Sequence, residues 1–274
     1  MITASYHPTE IKVSVCMITY NHEAYIAQAI ESVLMQQTDF LVELVIGEDF
    51  STDGTRDIVR KYEKLNPGRI RSLLPEHNLG MHANAVATLQ ACGGKYIALC
   101  EGDDYWISDS KLQTQVNFLD QHPEYSLCFH DVLTVDENGI LIQTDIIRTA
   151  EKEDYCLHDI LKSNYFQSCS VLFRHQFLPI YPEWIYEAPM GDWPLFTILA
   201  QRGRIRRIIG QMAAYRVHPD GYWSKQSLST RLRKTIQTAK IMKKNLGKDV
   251  ERELNHTILI FQLRWLKSVI RSIL

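Results

Sequence analysis

Between Val13 and Leu99 the chain alternates short apolar, β-rich runs with segments whose apolar residues recur at helical spacing. This alternation limits the fold more than any other feature. Residues 13–20 read as a buried strand, and 23–36 as a helix carrying Ile26, Ala29, Ile30, Val33 and Leu34 on one face. The unit repeats as strand 41–46 with helix 55–65, stopped by Asn66-Pro67-Gly68, and as strand 70–74 with helix 81–91, ended by Gly93-Gly94. A fourth strand, 96–99, follows. Strands and helices in this rhythm specify an α/β fold, Rossmann-like, with a mostly parallel central sheet flanked by helices and joined by right-handed crossovers. In such sheets ligands bind at the carboxyl ends of the strands. Four polar loops leave strands at that end: Thr19-Tyr20-Asn21, Glu48-Asp49, Asn78-Leu79-Gly80 and the segment 101–104.

The rhythm loosens after a helix over 111–122 that Pro123 closes. Residues 126–135 and 140–146 suit a hairpin about Asp136-Glu137-Asn138-Gly139, and 168–173 a strand. A helix over 193–200 and short strands over 204–209 and 212–217 complete a domain of residues 1–224, with 12–110 as its ligand-binding half and 111–224 as its second half. From Ser227 two helices are expected, broken near Gly247. The net charge of −2 conceals an asymmetry: residues 225–274 hold 12 Lys or Arg against 3 Asp or Glu, so this C-terminal extension carries +9 and residues 1–224 carry −11. An anionic surface, either a membrane or the acidic body itself, is the expected partner of the extension. No nucleic-acid partner is expected. The six cysteines form no C-x-x-C pair, no stretch reaches 18 consecutive apolar residues, and the N-terminus has no basic patch before an apolar core. Cytoplasmic residence, with peripheral contact at the inner face of the membrane left open, is the corresponding expectation.

The fourth strand delivers Glu101-Gly102-Asp103-Asp104-Tyr105-Trp106, three carboxylates on a tight loop. Carboxylates packed this closely repel one another unless a cation or water neutralises them, and a hard divalent ion such as Mg²⁺ or Mn²⁺ suits oxygen ligands of this kind. An acidic surface turn is the competing reading. There is no G-x-G-x-x-G after the first strand and no G-x-x-x-x-G-K-[ST], which disfavours dinucleotide dehydrogenases and P-loop NTPases.

Taken in order, residues 13–21, Glu48-Asp49-Phe50-Ser51-Thr52-Asp53-Gly54-Thr55, Asn78-Leu79-Gly80, Glu101-Gly102-Asp103-Asp104, Met190-Gly191-Asp192-Trp193 and Tyr215-Arg216-Val217-His218 resemble an inverting family 2 glycosyltransferase with the A-type fold. The likeness spans residues 12–224. It implies a metal-dependent enzyme that moves a hexosyl or N-acetylhexosaminyl group from a nucleotide-diphosphate sugar, a UDP-sugar before GDP or dTDP, to a hydroxyl of a growing polysaccharide or glycolipid. The resemblance assigns Thr19, Tyr20, Asn21, Glu23, Asp49, Asn84 and Asp103 to the nucleotide. It assigns Asp104, Asp103 and His218 to the Mn²⁺ or Mg²⁺ ion, and Asp192 to the general base that takes the acceptor proton. Asp49 would accept an N–H of the base. Departures are Glu48 and Glu101, where Asp is more usual, and Gly191, where many relatives carry Glu. Plainer roles compete: Asn21, Asp53 and Asp192 suit helix caps, His82 suits the surface, and Tyr105 and Trp106 suit packing against the next helix as well as a pocket wall. Residues 219–225 have the Gly and aromatic content of a flap. A sugar nucleotidyltransferase is the rival enzyme, for which a Gly-rich, basic loop would replace Thr19-Tyr20-Asn21. A non-catalytic nucleotide- or glycan-binding module is the rival outside enzymes.

Overall fold

The computed structural model describes residues 10–145, 152–178 and 181–273. The expected end of the hairpin at Ile146 and the first nine residues of the N-terminal reading lie outside them. Strand β1 (Ile11–Thr19) is followed by helix α1 (Ile26–Leu34), β2 (Leu41–Glu48), α2 (Thr55–Leu65), β3 (Ile70–Leu73), α3 (Met81–Ala91) and β4 (Tyr96–Leu99). These match the alternation to within a few residues. Val13, Val15, Met17, Leu44, Val45, Ile46, Tyr96, Ile97 and Ala98 are buried almost completely, because helices cover both faces of these parallel strands.

The second half adds β5 (Tyr105–Trp106), α4 (Lys111–Gln121), β6 (Tyr125–Val135), β7 (Leu141–Asp145), β8 (Asp154–Tyr155), α5 (Leu157–Ile160), β9 (Leu172–Arg174), α6 (Asp192–Ala200) and β10 (Arg204–Arg216). One sheet runs in the order β3-β2-β1-β4-β9-β6-β10-β5, with β7 on β6 and β8 on β10. The pairs β3–β2, β2–β1, β1–β4 and β6–β10 are parallel. Between them β9 runs antiparallel to both β4 and β6, so the sheet is mixed in its second half.

Three expectations are adjusted. The strand expected over 168–173 begins late: Ser168–Ser170 form a 3₁₀ turn, closed by Val171 N–H on the Ser168 carbonyl at 2.9 Å. The strands expected over 204–209 and 212–217 are one strand, β10. Its register on β6 shifts between Ile208 and Ala213, around Gly210 at φ +131, a bulge that glycine's backbone freedom permits. Trp106 is core: 1% exposed, with its indole N–H on the Cys169 carbonyl at 2.9 Å and the Lys111 Nζ 4.1 Å from its ring centroid. Helices α7 (Leu228–Asn245) and α8 (Glu251–Ile273) pack together, and Leu232, Ile236, Ala239, Met242, Leu254, Ile258 and Phe261 bury one side of the pair in the second-half core. Ser227 caps α7 by accepting the Thr230 N–H.

Candidate active site

The strand ends converge as the topology requires. After β1, Thr19 offers its carbonyl to Asp49 N–H at 3.0 Å, and Ile18 offers its carbonyl to Gly102 N–H at 2.9 Å. A Cβ on Gly102 would stand 2.5 Å from Thr19 Oγ1, so only glycine lets the acidic loop approach β1 this closely. Asn21 takes a left-handed φ of +55. Its Oδ1 accepts Thr52 N–H at 2.8 Å and its own N–H donates to Ser51 Oγ at 2.9 Å. Glu23 accepts Gly54 N–H at 2.9 Å, and Asp53 accepts both Thr55 N–H and Glu23 N–H. Asn21 and Glu23 thus clamp the first two loops together, while the N-cap of α2 is Gly54, and Asp53, just before it, accepts from the first residue of the helix. Tyr20 stands 43% exposed on the rim.

Asp49 is buried, with its two carboxylate oxygens accepting the N–H groups of Leu79 at 2.7 Å and Gly80 at 3.0 Å, which ties the third loop to the second. Glu48 is fully buried and pairs with Arg56. Between them, Phe50 at φ +60 exposes 42% of its surface, a strained conformation for a residue with a side chain. Asn84 is buried under β2, with its amide donating to the Gly47 carbonyl at 2.8 Å, because Gly47 lets α3 sit against the strand.

The acidic loop is a dense charge cluster. One ligand atom from each of Glu101, Asp103 and Asp104 lies within 4.8 Å of the others, and a second such group joins His22, Asp103 and His218. Asp103 Oδ2 is 3.1 Å from His218 Nε2 and 3.8 Å from His22 Nε2. Asp104 Oδ1 accepts Arg216 N–H at 2.8 Å, whereas its Oδ2 is buried without a hydrogen-bond partner. The Cys169 thiol beside this carboxylate is a weak donor. Arg216 anchors the loop, its Nε donating to the Asp103 carbonyl at 2.9 Å and its Nη2 to Gln28 at 2.6 Å.

Electrostatics follow from this packing. Burial and the neighbouring Asp103 push Glu101 up to about 8, against a hydrogen bond from Ser168 Oγ at 2.8 Å. Burial, then the charges of Asp103 and Glu101, push Asp104 well above the usual carboxylate range. Burial also acts upward on Asp103, yet the hydrogen bond from His218 and the nearby His22 hold it below that range. The residues fit a divalent cation: hard oxygen donors, an unpaired buried carboxylate oxygen, and two carboxyls, Glu101 and Asp104, whose proton affinity is raised by burial and mutual repulsion. His22, which the sequence reading passed over, joins this cluster.

Asp192 opens α6, and its Oδ1 accepts the next residue's N–H at 2.8 Å while Oδ2 accepts the Asn164 amide at 2.6 Å. Burial pushes its carboxyl above the usual range, and its charge is felt at Glu101. A Cβ on Gly191 would stand 3.2 Å from His82 Nδ1 and 3.4 Å from Tyr181 Oη, so these two side chains crowd the position of a second acid. His82 is half-buried, not a surface residue. After β10, His218 is 4% exposed, and Ser224 Oγ donates to its carbonyl at 2.6 Å, folding the segment 219–225 back on itself.

The family model described as Glycosyl transferase family 2 matches residues 14–177. An uncharacterized protein of Mycobacterium tuberculosis is 38% identical over 210 residues, 77% of this chain and 60% of its own length. The chain thus spans about 60% of the length of the first curated relatives it matches. Among solved structures, S. aureus TarS in complex with UDP-GlcNAc superposes with a TM-score of 0.65 at 21% identity, over 92% of this chain and 72% of that one. The mannosyltransferase PcManGT from Pyrobaculum calidifontis, in complex with GDP-Man and Mn²⁺, gives 0.66 at 19% identity, over 97% and 77%. At these identities the likeness is one of fold, the A-type glycosyltransferase architecture.

Proposed function

The chain belongs to glycosyl transferase family 2, and on that premise we propose that it moves a sugar, with inversion, from a nucleotide-diphosphate donor to a hydroxyl of a glycan or lipid-linked acceptor. The observation that carries the reading is the cluster, beyond the carboxyl ends of β1 and β4, of Glu101, Asp103, Asp104, His22 and His218, with Asp104 Oδ2 unpaired and the charge of Asp192 among the causes that raise Glu101. Asp104, Asp103 and His218, with His22, would hold Mn²⁺ or Mg²⁺. Such an ion, when bound, neutralises charge that develops on the departing diphosphate.

The chain's own residues supply the rest. Thr19, Tyr20 and Asp49 face the nucleotide from the strand ends, and Asp49 retains acceptor capacity for a base N–H because each carboxylate oxygen has two lone pairs. Asn21 and Glu23 act by holding the loops in place, and Asn84 by seating α3. UDP is our preferred nucleotide. The TarS complex with UDP-GlcNAc supports it, and the GDP-Man complex of PcManGT makes GDP the natural comparison. Asp192 takes the acceptor hydroxyl's proton as the new C–O bond forms on the sugar carbon and the old bond breaks, its electron pair leaving with the diphosphate. A carboxylate made more basic by burial suits that role. Asp192→Asn should abolish transfer and leave donor affinity within about twofold. A variant that instead loses the donor would take Asp192 out of the base role.

Among the described residues no helix is long and apolar enough to cross a membrane. Helix α8, however, exposes Leu259, Leu263, Leu266 and Ile270 along one face, with exposed Arg264 and Lys267 beside them. Together with the +9 charge of residues 225–274, this face supports peripheral docking on an anionic membrane that presents a lipid-linked acceptor.

A further inference from the structure

Gly191 precedes the proposed base, and its backbone does not require glycine: at φ −93 and ψ −29 it lies in the right-handed helical region that any residue adopts. Its missing side chain is therefore a matter of space. A Cβ there would stand 3.2 Å from His82 Nδ1 and 3.4 Å from Tyr181 Oη. One of these groups comes from the first turn of α3 and the other from the segment before α6. The glycine thus admits an imidazole and a phenol to the backbone of the residue next to Asp192.

Neither group is fully used by the fold. Tyr181 is half-buried, and its Oη has no hydrogen-bond partner among the described residues, yet the atom stays open to solvent. A tyrosine hydroxyl this far withdrawn from water ordinarily finds a partner. One ring nitrogen of His82 is engaged by the Ala188 backbone, and no described residue bonds the other. Burial lowers the imidazole below its ordinary value, while burial, then the charge of Asp192, raises the phenol, so both are uncharged near neutral pH. Among the described residues no lysine or arginine acts on either group. An anion here would face Asp192 without a compensating cation, whereas a hydroxyl can accept from the phenol and donate to the imidazole at once. Tyr186 extends this surface. Its ring lies edge-on to that of Tyr181, 6.3 Å between centroids and 79° between planes, and the residue is 42% exposed. An exposed ring beside polar groups offers an apolar face to the C–H side of a pyranose.

We propose that Tyr181 and His82 bind a hydroxyl of the acceptor adjacent to the one that Asp192 deprotonates, with Tyr186 as the platform, so that the reacting end of the acceptor is an uncharged sugar. The word acceptor rests on the transferase reading of Asp192. The recognition of a hydroxyl rests on Tyr181, His82 and Tyr186 alone.

Full-length protein with isotope-labelled tyrosine rings, held in excess UDP and Mg²⁺, is titrated with the methyl glycosides of glucose, galactose, mannose and N-acetylglucosamine, and with glycerol 3-phosphate as the charged, non-sugar arm. At least one glycoside should shift the Tyr181 and Tyr186 ring resonances saturably, and glycerol 3-phosphate should not. Tyr181→Phe keeps the ring and removes one oxygen. In it, glycoside affinity read at Tyr186 should fall about three- to tenfold, the loss of one ordinary hydrogen bond, with UDP affinity changed less than about twofold. Gly191→Ala, which pushes both groups aside, should lower glycoside affinity at least as much. Equal glycoside affinity in wild type and Tyr181→Phe would overturn the proposal, as would the absence of a saturable shift with every glycoside, or a shift with glycerol 3-phosphate alone. If Tyr181→Phe instead weakens UDP-sugars relative to UDP and spares the glycosides, the pair reads the donor and the acceptor assignment falls. If the protein binds no UDP at all, the transferase reading fails, and the glycoside titration without nucleotide still decides whether the pair holds a sugar.

Discussion

Removing the Asn164 amide should expose the titration of the proposed base. Asn164 donates to Asp192 Oδ2 at 2.6 Å, and that bond, with the N–H of Trp193 on Oδ1, opposes the upward push of burial on the Asp192 carboxyl. A hydrogen bond to a charged acceptor contributes about 1.5–3 kcal/mol. Because about 1.4 kcal/mol is a tenfold change in proton affinity, Asn164→Ala should make Asp192 bind its proton some ten- to a hundredfold more tightly. The sign is fixed by the role: a base must be unprotonated, so activity rises with pH through its titration, and the variant's rising limb must lie at higher pH than the wild type's. The assay is nucleotide release against pH under saturating donor and acceptor. It should show a loss of about tenfold or more on the acid side and near-recovery at high pH. A uniform loss at every pH, with the limb unmoved, would refute the assignment of that titration to Asp192.

Two further perturbations have definite expected outcomes. Lys111 is fully buried, its Nζ 2.7 Å from Gln115 Oε1, and burial lowers it to about 8. The folded state therefore binds fewer protons than the unfolded state between about pH 8 and the ordinary lysine value near 10.4, and wild-type stability should rise relative to Lys111→Met across that window, by roughly 1.4 kcal/mol per pH unit at most; chemical denaturation of both proteins at pH 7.5 and 10 measures the difference, and an unchanged difference would mean that Lys111 titrates as in water. Liposomes containing anionic lipid should retain the full-length protein at low salt and release it when Leu263 and Leu266 are both changed to Ser, whereas equal retention of the variant would leave the α8 face without a membrane role.

The half of the fold that alternates strand and helix is legible in the sequence because each element there closes on its neighbours in the chain, so periodicity and breakers such as Asn66-Pro67-Gly68 are sufficient. The acidic loop is legible for the same reason, since it sits at the end of a strand. What could not be read depends on distant chain. His22 looks like a loop residue until β10 brings His218 to within a ring's width, 6.0 Å between centroids. Asn164 lies in a stretch with no periodicity, and its value comes from α6. The antiparallel insertion of β9 between β4 and β6 leaves no mark in a three-residue strand. Nothing in the sequence marks Lys111 as buried, yet the Trp106 ring and Gln115 enclose it. By sequence, a polar residue near a proposed ligand loop, such as Asn84, is indistinguishable from one that packs under a strand, and its bond to the Gly47 carbonyl is visible only in the fold.

If the loop Glu101 to Asp104 holds a divalent cation beside a sugar donor, donor binding must depend on that ion. Calorimetric titration of the protein with UDP-, GDP- and dTDP-sugars, with Mn²⁺ and again with the metal chelated, measures this dependence. The expected result is saturable binding of one nucleotide class, UDP first, that requires the metal and is lost in Asp104→Asn. Binding indifferent to metal and to Asp104, or no binding with any donor, would rule out a metal-held donor at this loop.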